Sequence, residues 1–306
     1  MHRSSAVAGY FYKGSPEALR KQVEGFVNPS IHRIKATGIL SPHAGLIYSG
    51  SVAGAVYSSI ELPDTFVLIG PNHTGLGSPV SIMARGSWET PLGTVTIDEQ
   101  LAASILSKSP RIHEDTLAHL REHSLEVQLP FIQYFKPNFS IVPIQMLDTR
   151  LETCLEVGRA VGGAIAECPR WSHSGAGSMR NAECTPKNEA ESRDTESKSA
   201  IRNPKSKMSG ALIVASSDMS HYEQAAAAKE KDFRAIRHIL NMDPEGLYRE
   251  IKDSGTTMCG FGPAVAMLVA SKMLGATKAE LIKYANSGEV SGDYEQVVGY
   301  AGIVVR

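Results

Sequence analysis

Thr37-Gly38-Ile39-Leu40-Ser41-Pro42-His43-Ala44-Gly45 is the stretch that decides the fold: a short apolar run, then a turn that carries a histidine. The pattern occurs twice more. Phe66–Ile69 runs into Pro71-Asn72-His73-Thr74-Gly75, and Ala211–Ala215 runs into Ser216-Ser217-Asp218-Met219-Ser220-His221. Uninterrupted apolar runs of this length read as buried strands. In an open parallel sheet the turns leaving such strands meet at one crevice, where ligands bind. Three imidazoles gathered there point to a metal ion, since neutral imidazole is the commonest side-chain metal ligand.

Working outward, strand-like and helix-like segments alternate. Helices are expected at Pro16–Val27 with Ser15 as N-cap, Ser51–Ile60, Asp98–Leu106, Leu151–Ala166, Ala225–Leu240, Pro244–Ile251 and Phe261–Leu274. Ser124–Phe135 reads as one helix kinked at Pro130. Further strands are expected at Val80–Met83, Val95–Ile97, Phe139–Pro143, Leu281–Ala285 and Val297–Val305. The alternation predicts an α/β fold with a mostly parallel or mixed central sheet. Residues 172–209 stand apart as a polar insertion expected to be disordered, because their composition cannot offset the entropy of ordering. The strand after it continues the sheet begun before it, so the reading is one domain over 1–306.

With 31 Lys+Arg against 32 Asp+Glu the chain has almost no net charge, which gives no footprint for nucleic acid or an acidic membrane face. No apolar run reaches the roughly 20 residues of a bilayer span, and the first residues carry no apolar signal segment, so a cytoplasmic protein is expected. The four cysteines form no CxxC pair and suit a reducing compartment as free thiols. Cys154 and Cys168 read as buried core, and Cys184 as inert. Nucleotide and serine-hydrolase templates are missing: there is no GxGxxG after a strand, no GxxxxGK[ST], no HExxH and no GxSxG.

Several other side chains could carry chemistry. Asp218, three residues before His221, could orient an imidazole, bind a cation or simply cap a helix. Cys259, in Met258-Cys259-Gly260-Phe261-Gly262-Pro263, lies just ahead of a helix, a position that favours thiolate; a small core residue is the alternative. His123 and Glu126, if helical, would share a face as a supporting or substrate-facing pair; an ordinary surface pair is the alternative. His113 and His119 lie in a charged stretch and read as solvated. Gly45 and Gly75 follow two of the histidines and suit positive φ or close approach to a ligand.

At these residues the chain resembles the Memo family, the AmmeMemoRadiSam system protein B group. The matching pieces are Ala6-Val7-Ala8-Gly9-Tyr10-Phe11-Tyr12, Pro42–Gly50, Gly70–Gly75, Trp88–Gly93, Glu122–Pro130, Ser216–Tyr222, Cys259–Pro263 and Ser291-Gly292-Asp293, in order along nearly the whole chain. The polar insertion, and Lys13 in place of a proline, depart from the family pattern. The resemblance extends to class III extradiol (LigB-type) dioxygenases, which use non-haem iron(II). It implies an α/β/α sandwich with His43 and His73 as metal ligands, Cys259 where those enzymes have a glutamate ligand, His221 as acid/base and Asp218 beside it. His123, Glu126 and Asn72 would support the site or face substrate. The implied cofactor is a metal ion, with iron(II) or copper favoured and zinc open. The implied functions are a metal-dependent redox enzyme of dioxygenase-like chemistry, a non-catalytic module that docks a peptide or protein, and a zinc hydrolase. A small molecule or peptide is the expected ligand, with a functional link to radical-SAM and AMMECR-type proteins.

Overall fold

A computed structural model describes residues 1–168 and 210–306. The insertion at 172–209, Cys184 within it, lies outside the described residues. The elements are β1 (His2–Arg3), α1 (Pro16–Glu24), β2 (Gly38–Ser41), α2 (Leu46–Ser59), β3 (Thr65–Pro71), β4 (Val80–Ile82), β5 (Ser87–Thr90), β6 (Gly93–Ile97), α3 (Glu99–Ser107), β7 (His113–Glu114) and α4 (Leu129–Phe135). There follow β8 (Ser140–Met146), α5 (Leu151–Ala166), β9 (Ala211–Ser216), β10 (His221–Glu223), α6 (Ala225–Leu240), α7 (Pro244–Ser254), α8 (Phe261–Met273), β11 (Ala279–Asn286), α9 (Gly288–Ser291) and β12 (Val297–Val305).

The strands form one mixed sheet in the order β1-β5-β6-β8-β3-β9-β2-β12-β10, with β11 on β12 and β4 on β8. Its centre is parallel: β8, β3, β9 and β2 run side by side in one direction. β12 and β11 are antiparallel and complete that flank.

Alternation along the central strands separates two helical layers. Ile39, Phe66, Leu68, Leu212 and Val214 face a core shared with α1, α2 and α4 through Leu19, Ala53, Tyr57 and Phe131. Leu40, Val67, Ile69, Ile213 and Ala215 face the other core, shared with α3, α5, α6 and α8 through Ile105, Val161, Ile236 and Leu268. Both faces of the sheet are therefore covered, and its central strands are apolar throughout. The three-layer α/β architecture expected from the sequence is present.

Local chemistry sets the element ends. Ser15 and Asp98 cap α1 and α3, accepting from Ala18 N and Leu101 N. The expected kinked helix at Ser124–Phe135 is instead a 3₁₀ turn at Glu126–Gln128 followed by α4, with Pro130 in the first turn of α4. Proline has no N–H to donate, so it suits a helix start better than a helix interior. α2 starts earlier than expected, at Leu46. No helix among the described residues is long and apolar enough to cross a membrane.

Candidate metal centre

Because β3, β9 and β2 are adjacent and parallel, the turns after them leave the sheet at one edge. β2 stops at Ser41, since Pro42 cannot extend the ladder, and His43 follows. Gly45 does not use positive φ; it is the N-cap of α2. After β3, the Asn72 side chain accepts from Thr74 N and Gly75 N and donates to Leu76 O, folding a tight turn. Gly75 closes that turn at φ 69°, a conformation that glycine adopts without cost. Asn72 therefore shapes the His73 loop through its side chain.

Among the described residues, His43, His73 and His123 each bring a ligand atom within 4.8 Å of the other two. The His73 and His123 rings stack at 4.8 Å between centroids, and His43 stands edge-on to them at 5.3 and 5.4 Å. Sequence reasoning gave His123 a supporting role beside Glu126; the structure puts its ring in the cluster. Cys259, read as the third ligand, lies to one side, its sulfur 3.3 Å from His43 Nε2.

The hydrogen bonds around the rings fix which nitrogen is bare. Ser216 Oγ donates to Ser124 O at 2.6 Å and accepts from Gln128 Nε2 at 2.8 Å. With its hydrogen so engaged, it can only accept from His43 Nδ1, 2.9 Å away. His43 thus carries its proton on Nδ1 and leaves Nε2 unprotonated, facing the Cys259 sulfur. Gln128 is itself oriented by Tyr57, whose hydroxyl donates to Oε1, and by Pro42 O, which accepts from Nε2.

Glu122 does the same for His73 and holds the backbone of His123. Its buried carboxylate accepts from His73 N, His123 N and Ser124 N. One oxygen lies 3.0 Å from His73 Nδ1 and 3.2 Å from His123 Nδ1. Burial pushes this carboxyl up, but the hydrogen bond and charge of His73, the Ser124 amide and His123 outweigh it and hold the group lowered to about 2. An ionised carboxylate accepts only, so the His73 ring turns Nδ1–H toward it and offers Nε2, while the His123 ring is held beside the same oxygen through its own backbone N–H. Burial, then the neighbouring imidazoles, keeps the His43 pKa well below the usual histidine range; burial also lowers that of His123. Three converging imidazoles, with a buried negative charge behind two of them, suit a cation in front.

The other flank is less prepared. The Cys259 thiol is pushed up by burial and by the charge of Asp218, which overrules the expected thiolate bias of a position before a helix. Asp218 accepts from His43 N and Ala44 N, so it fastens the two turns together and caps no helix. Its second oxygen lies 4.0 Å from His43 Nε2, and burial pushes its pKa up. His221 donates from Nδ1 to Thr257 O at 2.9 Å, which leaves its Nε2 able to accept a proton. It is close enough to His43 for their charges to interact.

Glu126 does not face the cluster. It pairs in the interior with Arg3 at 2.7 Å and accepts from Tyr12 Oη and from the amides of Ala6 and Val7. That network pins the N-terminal segment so that Phe11 lies against His123, ring centroids 4.6 Å apart. His119, expected in solvent, is fully buried beside Trp88, because Arg3 and Trp88 fill the space around it. Cys154 is buried as expected, whereas Cys168 is only half-buried. The residues that sequence reasoning missed are Glu122, Ser216 and Gln128. The single available signal was that each lies within a motif already singled out.

The chain is 42% identical over 315 residues to a MEMO1 family protein of Methanothermobacter thermautotrophicus, covering 98% of this chain and 99% of that one. It is 41% identical over 306 residues to a MEMO1 family protein of Aquifex aeolicus, covering 99% and 98%. The solved structure of an uncharacterized protein from Escherichia coli K12 shares the fold with TM-score 0.54 at 10% identity, over 88% of this chain and 100% of that one. The Memo-like protein profile matches residues 3–172 and 187–304, and the chain belongs to the Memo-like family.

Proposed function

We propose that this protein is a metal-dependent redox enzyme whose reaction centre is the cluster of His43, His73 and His123, with Cys259 as a further donor at its edge. The observation that carries the reading is the convergence of three histidines, two of which, His43 and His73, have Nδ1 held by an oxygen partner. Oxygen partners on Nδ1 orient the rings and raise the basicity of Nε2. Imidazole with an adjacent sulfur favours iron(II) or copper over harder cations, and such a metal would supply oxygen or substrate activation by electron transfer.

The chain's own groups divide the remaining work. Glu122 and Ser216 hold the rings. Asp218 keeps the His43 turn against the loop that carries His221. His221, with Nε2 free, accepts a proton from a substrate hydroxyl and returns it later.

The test is metal analysis of protein purified without oxygen, followed by oxygen consumption against a panel of phenolic substrates. Stoichiometric iron or copper, and a His221→Ala variant that keeps the metal but loses turnover, are expected. Normal turnover by that variant overturns the acid/base role. A three-histidine set is also the ligand set of catalytic zinc, so hydrolysis is the second reading. Zinc with ester or amide cleavage and no oxygen uptake would establish it. A centre that binds metal but turns nothing over would point to a docking module.

A further inference from the structure

A cavity of about 510 Å³ opens beside the histidine cluster, with His73 and Cys259 on its inner wall and the end of α7 on its outer one. That volume is within the range of small-molecule sites. Much of the wall is apolar, with Leu147 and Phe261 at the surface and the nearly buried Met146 and Met258 behind them, and no Asp or Glu lines it. One aliphatic amine does. Lys252, exposed on the last turn of α7, holds its ammonium 4.8 Å from the Phe261 ring and 5.6 Å from the Tyr248 ring. No carboxylate among the described residues pairs with it. Its three N–H donors are therefore held over aromatic faces and remain available to an acceptor.

We propose that this cavity binds an organic anion, its apolar body against Leu147 and Phe261 and its carboxylate or phosphate on Lys252, with the far end presented to His73 and Cys259. The inference rests on the histidine cluster being the reaction centre and adds the class of substrate that reaches it. The charge balance selects the sign: an anion gains the lysine and meets no acidic wall, whereas a cation would meet a like charge. The apolar wall selects against a small inorganic ion, which would leave that surface uncovered.

The experiment uses the metal-loaded protein and three probes: phenylbutyrate, phenylbutyramide and phenethyl phosphate. Affinities come from calorimetry, and methyl-labelled methionine resonances of Met146 and Met258 report where the probe sits. The expected result is that at least one anion binds about tenfold tighter than the amide. It should shift both methionine signals, lose the preference in Lys252→Met and keep it in Lys252→Arg. Whichever of carboxylate and phosphate binds tighter names the head group. Equal affinity of anions and amide, a preference that survives Lys252→Met, or unshifted methionine signals would overturn the proposal. Metal content of the same samples keeps the two readings apart. Stoichiometric metal without anion preference sinks only this inference, and anion preference in protein that takes up no metal sinks only the redox reading.

Discussion

The two flanks of the centre differ in how far the protein prepares them. On the imidazole flank, buried oxygens hold Nδ1 of His43 and His73 and the backbone N–H of His123, so the three rings are gathered before any ion arrives. On the sulfur flank, Cys259 is a half-buried thiol that must lose a proton to ligate, and Asp218 beside it resists new negative charge. The difference teaches that affinity should come from the histidines, while the sulfur adds a donor whose engagement costs a proton.

The largest expected effect breaks the imidazole flank itself. His43→Ala or His73→Ala should weaken iron(II) or zinc binding by more than about 100-fold, beyond what losing a ring's supporting partner costs. Unchanged metal stoichiometry in both variants would remove the ligand assignment. Next comes the carboxylate behind the rings. Glu122→Gln keeps the shape but removes the charge and presents an NH₂ group to His73 or His123, so metal affinity should fall by up to about 100-fold with the fold intact by circular dichroism. Ser216→Ala removes a neutral partner from one ring only, and about tenfold is expected. Nitrogen-15 NMR should then show His43 losing its single tautomer, a change that a general loosening of the fold would not produce.

The sulfur flank gives a different kind of signal. Metal titrations in buffers of different ionisation enthalpy should show about one proton released per ion bound by the parent protein, and fewer by Cys259→Ala. Equal release from both would mean that the sulfur is a bystander.

The smallest effect sharpens the contrast between two histidines of one segment. His123 has a carboxylate beside it; His119, four residues earlier, is buried and its pKa falls from 6.5 to about 3, chiefly through burial and then the charge of Arg3. A histidine held neutral in the fold lends its full stability above the unfolded pKa and loses it as pH falls toward the folded one. From about pH 7 to about pH 5.5 it should cost about 1 kcal/mol. Urea denaturation should show this slope flattened in His119→Gln.

The sheet was legible because its central strands are covered on both faces and so read as continuous apolar runs. Ile39-Leu40, Phe66–Ile69 and Ala211–Ala215 need no alternation to be recognised. His43 and His73 were legible for the same reason: each directly follows such a run. His123 was not, because it lies in irregular chain ahead of α4 and reaches the cluster only through Glu122, which binds the amides at His73, His123 and Ser124. The three-residue spacing of His123 and Glu126 suggested a shared helical face. The chain around them is not helical until the 3₁₀ turn at Glu126, so the two side chains part, one to the cluster and one to Arg3. His119 was misread because its charged neighbours suggested solvent, while Trp88 and Arg3 close over it from distant parts of the chain.

The sequence by itself determined the α/β layering and the turns that carry His43, His73 and the Asp218–His221 pair, since apolar runs and turn formers act locally. Only the tertiary structure decided which imidazoles meet, how His43 and His73 are turned and that burial and Asp218 push the thiol's pKa up. Those outcomes depend on hydrogen bonds and burial between residues up to 216 positions apart, and such distances in the chain leave no periodic trace.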